Sequence, residues 1–127
     1  MRWGLGLLVV AIPLGWGCAS GNTGAGQVHA ELHAGVWAAE HNYWQEALFR
    51  FERAKELEPA DPEVLNDLAV ALEALGRYDE AMTTYKQALQ ASPKSSTLKK
   101  NYARFAEFYT SYAKGIIPKK DDGVASH

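Results

Sequence analysis

The sequence predicts an all-α fold made of helical hairpins. A 34-residue segment occurs twice without gaps, at residues 28–61 and 62–95. Identical residues coincide after a shift of 34, among them Glu46 and Glu80, Ala47 and Ala81, Ala54 and Ala88, and Pro59 and Pro93. In each copy the apolar residues recur at spacings of three and four, as on one face of a helix. A period of this length predicts stacked helix-turn-helix units that bury one another's apolar faces.

The first copy is predicted to contain a helix from about Val28 to Glu40 and a second from about Trp44 to Glu58, joined by a turn after Glu40. The inward-facing residues expected in these two helices are Leu32, Val36 and Ala39, followed by Ala47, Leu48, Phe51, Ala54 and Leu57. Asp61 is placed to cap the next helix, with Pro62 in the first turn, where a missing N–H costs nothing.

The second copy repeats this plan. Its helices are predicted over about 62–75 and 78–90, and Gly76 ends the first of them as a left-handed residue. The small residues Ala47 and Ala81 fall where two helices cross, and small residues allow helix axes to approach to about 8–10 Å.

A fifth helix is predicted from about Ser95 to Lys114, because Leu98, Tyr102, Phe105 and Tyr109 follow a helical spacing. No second helix of a third copy follows, since Gly115 and Pro118 interrupt the chain. Residues 96–114 are therefore expected to cap the last apolar face. Residues 115–127 are expected to form a disordered tail.

These features resemble the tetratricopeptide repeat family. The second copy carries the expected residue types at Leu68, Ala69, Gly76, Tyr78, Ala81, Tyr85, Ala88 and Pro93. The first copy departs from the pattern at Glu31, where the family has a large apolar residue, and at Ala34, where it usually has Leu. The resemblance implies a helix-turn-helix solenoid of two full repeats plus a C-terminal capping helix, and a protein that binds partners rather than one that catalyses reactions.

In this family the first helix of each repeat lines a concave groove in which partners bind. By that resemblance, the groove positions in the first repeat are His29, Leu32, His33, Val36, Ala39 and Glu40. Those in the second repeat are Glu63, Asn66, Asp67, Val70, Glu73 and Ala74, and those in the capping helix are Thr97, Lys100, Asn101, Arg104, Glu107 and Phe108. A carboxylate clamp of the kind some relatives use is not predicted, because only Lys100, Asn101 and Arg104 have suitable side chains.

Charge is distributed unevenly along the chain. Residues 28–93 carry 12 acidic and 5 basic side chains, whereas residues 94–120 carry 7 basic and 1 acidic. An acidic and a basic wall could therefore flank the groove and orient an extended peptide. The alternative is that these charges belong to ordinary solvated helix faces.

The first 17 residues are predicted to be a secretory signal peptide. Arg2 is followed by an apolar run of about a dozen residues, shorter than the ~20 that a membrane-spanning helix needs. The only cysteine, Cys18, follows at the end of this segment. This arrangement resembles the lipobox of bacterial lipoproteins, which implies acylation of Cys18. Cleavage near Ala19 without a lipid, and an uncleaved anchor, are the alternatives.

Residues 18–27 are predicted to be the lipidated cysteine and a flexible tether, because the segment after Ala19 has three glycines and no charge. The residue after Cys18 is Ala19 and not Asp, which by the sorting pattern of lipoproteins implies the outer membrane, facing the periplasm. A protein without the lipid would be soluble in the periplasm.

Catalytic and metal-binding chemistry is not expected. His29 and His33 have the spacing of metal ligands on a helix, but two histidines alone make a weak site, so no metal and no cofactor are predicted. The aromatic residues between the basic side chains of 94–120 are periodic, which favours a core role over nucleic-acid binding.

Two functions remain open. The first is a scaffold or assembly adaptor that binds an envelope protein or peptide, similar in plan to the small repeat lipoproteins of pilus and secretion assembly. The second is a self-associating structural lipoprotein, because three repeats are the usual minimum for a stable array. Phe49 lies off the inward stripe of its helix and is the best candidate for a packing surface, although an isolated exposed aromatic residue is equally compatible.

Overall fold

A computed structural model of the protein describes residues 24–116, and these residues form five α-helices without any strand. The helices are α1 (Gly24–Glu40), α2 (Trp44–Leu57), α3 (Pro62–Ala74), α4 (Tyr78–Ala91) and α5 (Ser96–Ala113). Consecutive helices pack against each other, and α1 also touches α3. The predicted all-α helical repeat solenoid is confirmed.

The core follows the shared pattern of the two repeats. Ala47 and Phe51 of α2, together with Ala81 and Tyr85 of α4, are buried in one cluster that also holds Phe105 of α5. The two alanines have no exposed surface, as expected where helices cross closely. Gly35 of α1 lies against the Phe51 ring, and a Cβ built there would be 2.4 Å from Phe51 Cε1. The first repeat therefore needs glycine at this position.

Both hairpin turns use a left-handed residue at the same repeat position. Asn42 has φ of 61° and Gly76 has φ of 76°. In each turn the next amide donates to a carbonyl five residues earlier, from Tyr43 to Ala38 at 2.8 Å and from Arg77 to Leu72 at 2.9 Å. Asparagine and glycine are the residues that tolerate this conformation best, which explains how two different residues form the same turn.

Side-chain caps start the first helix of each later unit. The Asp61 carboxylate accepts hydrogen bonds from the amides of Glu63 and Val64, both at 2.9 Å. The Ser95 hydroxyl accepts one from the Leu98 amide at 3.3 Å. These caps satisfy amides that have no partner inside the helix, and they fix where α3 and α5 begin.

Helix α5 packs on α4 through Leu98 and Phe105, and the Phe105 side chain is fully buried. Leu98 shares a cluster with Leu65 and Ala88. The helix ends at Gly115, whose φ is 71°, and the Ile116 amide donates to the Ser111 carbonyl at 3.0 Å. The first two residues of the predicted tail therefore form a helix cap, and the rest of that prediction lies outside the described residues.

One boundary and two side chains, those of Val36 and Leu57, differ from the sequence-based expectations. Helix α1 begins at Gly24, so the last four residues of the predicted tether, up to Gln27, are helical. The packing of Val28 against Ala54 and Val64 holds the helix in place, and its first turn extends upstream. Leu57 is exposed instead of facing inward, because it lies in the last turn of α2 beyond the reach of α1 and α3.

The predicted signal peptide, Cys18 and the start of the tether lie outside the described residues. Between Gly24 and Ile116, no helix combines the length and the apolar character that crossing a membrane requires.

Candidate protein-binding groove

The predicted groove positions lie on one face of each of α1, α3 and α5. In each helix they are spaced by three and four residues, which keeps them on one side. Two contacts show that the faces of α3 and α5 are neighbours. The Asn101 amide nitrogen donates to Asn66 Oδ1 at 2.9 Å, and Arg104 donates to both carboxylate oxygens of Glu73 at 2.7 and 2.9 Å.

The apolar residues of the groove differ in how accessible they are. Leu32 is half-buried and packs against the cluster of Val28, Ala54 and Val64. Val70 is also half-buried and packs on the main core. Val36 is 40% exposed and is therefore the accessible apolar side chain among the predicted groove positions of α1. Leu32 and Val70 therefore contribute to the core as well as to the surface of the predicted groove.

Glu73 and Arg104 belong to a three-residue network with Tyr85. The Tyr85 hydroxyl donates to Glu73 Oε2 at 2.8 Å. Burial raises the pKa of Tyr85, and the hydrogen bond to Glu73 raises it further. One acidic residue of α3 and one basic residue of α5 from the two expected walls thus pair with each other here.

Asp67 gives the other end of the groove an acidic character. Its carboxylate is half-buried and accepts a hydrogen bond from the Asn66 amide nitrogen at 3.1 Å. Burial raises the pKa of Asp67, and the nearby charges of Glu63 and Asp61 act in the same direction. A cationic group placed here would relieve the repulsion among these carboxylates.

Two depressions lie along the groove. One, of about 330 Å³, separates the first turns of α3 and α5 and is lined by Pro62, Glu63, Asn66, Asp67, Ser95, Thr97 and other residues. The second, of about 320 Å³, is lined by Glu73, Ala74, Tyr78, Arg104 and Phe108. A larger depression of about 470 Å³ lies away from these positions, between α2 and α4, and is lined mainly by charged residues such as Glu52, Lys55 and Glu80.

Tyr78 also lies at the groove, although it is not among the positions predicted from the sequence. Its ring meets Phe108 edge-on, with centroids 4.9 Å apart. Tyr78 is the first residue of α4 and Phe108 lies in the fourth turn of α5. Nothing in the local sequence around Tyr78 indicates this contact, which depends on how α5 packs.

The remaining predicted groove residues His29, His33, Glu40, Glu63 and Lys100 are exposed. His29 and His33 lie one turn apart on α1. Within residues 24–116 no group of three or more His, Cys, Asp or Glu side chains is arranged to hold a metal ion.

Comparison with known proteins supports the repeat assignment. The family model described as tetratricopeptide repeat matches residues 38–104, which is more than half of the chain. No curated protein matches the chain significantly. Tetratricopeptide repeats generally mediate protein–protein interaction and are typically not catalytic. Because the 34-residue period, the hairpin geometry and the family model agree, the chain belongs to the tetratricopeptide repeat family.

Proposed function

We propose that this protein is a membrane-anchored interaction module of the bacterial envelope, and that it holds a short segment of a partner protein in the groove of α1, α3 and α5. The observation that carries the proposal is the alignment of the three helix faces, in which α1 packs against α3 and the Asn66–Asn101 and Glu73–Arg104 contacts tie α3 to α5. A rigid face of this kind offers side chains to a ligand at little ordering cost.

The length of the groove limits the ligand. Three helices at about 8–10 Å between axes span roughly 20 Å. An extended chain covers that distance with about six residues, at ~3.3 Å each. The ligand is therefore a short segment, and binding should be weak unless the partner also contacts another surface.

The acidic end of the groove selects the ligand's charge. Asp67 and Glu63 line the depression between α3 and α5, while Arg104 is already paired with Glu73. A Lys or Arg side chain of the partner fits the Asp67 end best. Apolar side chains of the ligand would lie on Val36 and on the edge of Phe108.

Site-specific photo-crosslinking in the native envelope tests the groove. A photoreactive amino acid replaces Val36 or Lys100 in separate variants, and Gln87, an exposed residue of α4, is the matched control. We expect the same discrete partner to be crosslinked from both groove positions and not from position 87. Equal crosslinking from all three positions would contradict a groove-specific ligand.

Charge reversal then tests the ligand chemistry. In the Val36 crosslinking background, Asp67→Lys should reduce the partner product at least several-fold, whereas Glu56→Lys, at an exposed position of α2, should not. A product that is unaffected by Asp67→Lys would remove the cationic-ligand part of the proposal and leave the groove itself standing.

We further propose a lipid anchor at Cys18. The support is the order of features in the sequence, with a short apolar segment, a single cysteine at its end and a helical domain that begins only six residues later, at Gly24. Outer-membrane attachment facing the periplasm follows from Ala19 by resemblance to lipoprotein sorting.

Mass spectrometry of the mature N-terminus tests the anchor. Acylated Cys18 is the expected terminus, and Cys18→Ser should move the protein from the membrane fraction to the soluble periplasmic fraction. An unmodified terminus at Ala19 or Ser20 would refute lipidation while leaving the groove proposal intact.

A further inference from the structure

The two repeats differ most on the side that faces the N-terminal end of the array. Val64 and Ala71 of α3 have no exposed surface, because α1 and α2 cover them. A shift of 34 residues back places Ala30 and Trp37 at the same positions of α1. Ala30 is exposed, and Trp37 is 51% exposed. The first repeat thus carries a tryptophan at a position that the second repeat buries completely.

Helix α2 continues this side of the molecule through Arg50, and the Phe49 ring lies beside Arg50. Its Phe49 is 49% exposed. Arg50 of α2 corresponds to Thr84 of α4, which is buried. Thr84 is covered because α2 lies nearby, and Lys55 of α2 lines the same depression as Glu80 and Thr84. Nothing among residues 24–116 lies beside α2 in that direction. We call the surface formed by Ala30, Trp37, Phe49, Arg50 and Arg53 the N-terminal end face.

The end face carries two aromatic side chains, and acids beside it balance its two arginines. The guanidinium carbons of Arg50 and Arg53 lie 5.6 and 5.8 Å from the centroid of the Phe49 ring. Both arginines pair with Glu31, at 3.3 and 2.9 Å, and Arg50 also pairs with Glu46 at 2.7 Å. Two acids and two bases therefore cancel. Such a surface can be buried without bringing like charges together.

The Trp37 ring is already held in place. It stacks on His41 with centroids 4.2 Å apart, and the His41 Nδ1 atom lies 2.7 Å from the Trp37 carbonyl oxygen. A tryptophan with a fixed ring loses little freedom on binding, and tryptophan is enriched among residues that dominate interface energies. At the other end of the array, the face of α5 turned away from α4 carries exposed Lys99, Ala103, Glu107 and Thr110. Among residues 24–116, the outer face of α5 is thus polar, whereas the N-terminal end face is aromatic.

We propose that the N-terminal end face is the interface of a symmetric dimer, in which a second copy of this chain covers Trp37 and Phe49 across a two-fold axis. A two-fold interface uses the same patch on both copies, so acids of one copy can face bases of the other. A head-to-tail arrangement would instead set Trp37 against the charged outer face of α5. A two-fold dimer also joins two pairs of repeats into four, above the usual minimum of three for this architecture.

The size of the face sets the strength of the dimer. Helix α1 has 17 residues and is about 25 Å long at ~1.5 Å per residue. Two adjacent helices are about 20 Å wide, so two copies would bury on the order of 1,000 Å² in total. This area lies at the lower limit for specific interfaces, where weak and transient complexes are found. Two-dimensional confinement at a membrane would favour such a dimer.

Photo-crosslinking of the full chain tests the dimer. A photoreactive amino acid replaces Phe49 in a tagged copy that is expressed together with an untagged copy, and the control carries it at Gln87. We expect a product with the combined mass of one tagged and one untagged copy from position 49 only, with the crosslinked peptide of the second copy lying in α1 or α2.

Two substitutions complete the test, each made in both copies. Trp37→Ala should lower the dimer product at least about ten-fold, as expected for a residue at an interface centre. Ala30→Glu should do the same by placing like charges across the axis, and it removes no buried contact. Circular dichroism confirms that each variant keeps its helices. Crosslinks into α5, to lipid alone or to a different protein alone, or a product that neither substitution reduces, would overturn the proposal.

Discussion

The first and second repeats share one backbone arrangement, but different side chains pack within it. In the first repeat, Gly35 leaves room for Phe51, whereas in the second Ala69 packs beside Tyr85. In the first, Glu31 forms ion pairs with Arg50 and Arg53 at the position where the second buries Leu65. Among residues 24–116, the second repeat has helices on both sides and the first has them on one side. The difference teaches that the repeat period fixes the helices, while the place in the array decides which positions must be apolar.

The largest expected effect comes from removing the central aromatic residue of each repeat. Tyr85→Ala should lower the free energy of unfolding by about 4–5 kcal/mol and Phe51→Ala by about 3 kcal/mol. Tyr85 should cost more because its ring lies 5.3 Å from that of Phe105 and its hydroxyl bonds to Glu73. Urea unfolding of both variants measures the two values. Equal values would mean that the second repeat gains nothing from its position between neighbours.

A smaller effect is expected at the close approach of helices. Gly35→Ala should destabilise the fold by about 1–2 kcal/mol, because overpacking against Phe51 outweighs the ~1 kcal/mol that alanine gains in a helix. Thermal unfolding measures this change. In a Phe51→Leu background the same substitution should become neutral or stabilising. If Gly35→Ala stabilises the wild-type chain, the proposed need for glycine is wrong.

Tyr85→Phe gives the second repeat the phenylalanine that the first repeat has at the equivalent position, Phe51, and so removes one hydroxyl group. We expect a loss of about 1–2 kcal/mol at neutral pH, because the hydrogen bond to the Glu73 carboxylate is lost. The raised pKa of Tyr85 stabilises the fold below pH 10.0, its ordinary pKa, and this contribution is lost as the pH rises above that value.

The difference between wild type and Tyr85→Phe in urea midpoint should therefore shrink between pH 9 and pH 11. Taking the difference between the two proteins removes the contribution of Tyr109, whose pKa is also raised by its hydrogen bond to Asp79. A difference that stays constant over this range would contradict the assigned role of the Tyr85 hydroxyl.

The smallest effect is expected at the ion pairs of the first repeat. Glu31→Gln should cost less than about 1 kcal/mol at pH 7, because exposed pairs contribute little. The hydrogen bond from Arg53 lowers the pKa of Glu31, so its contribution is present above its ordinary value of 4.5 and is lost as the pH falls below it. Urea midpoints at pH 7 and pH 3 measure the change. A larger loss at pH 3 than at pH 7 would rule out this assignment.

Helix positions were largely predictable from the sequence. The spacing of Ala47, Phe51 and Ala54 locates α2, and Asp61 followed by Pro62 locates the start of α3. Boundaries without such signals were not. Helix α1 begins four residues earlier than predicted because Val28 anchors it on α2 and α3, and glycine-rich composition alone favours a tether there.

The candidate groove was predictable as a set of positions and not as a set of contacts. The repeat register places Asn66, Glu73, Asn101 and Arg104 on the same face. It does not indicate that Arg104 bonds to Glu73, 31 residues away, or that Tyr85 joins them from α4. Such contacts depend on the distance between stacked helices and on side-chain rotamers, neither of which a periodicity encodes.

The sequence by itself determined the repeat period, the helix faces and the left-handed turn at Gly76, because these depend on local spacing and on the residue at the turn. The left-handed conformation of Asn42 emerged only from the structure. The tertiary structure decided which apolar residues are covered. Val64 and Ala71 are buried and Trp37 is not, although they occupy corresponding faces of α3 and α1. Burial depends on the presence of a neighbouring hairpin, and among residues 24–116 no hairpin precedes the first repeat.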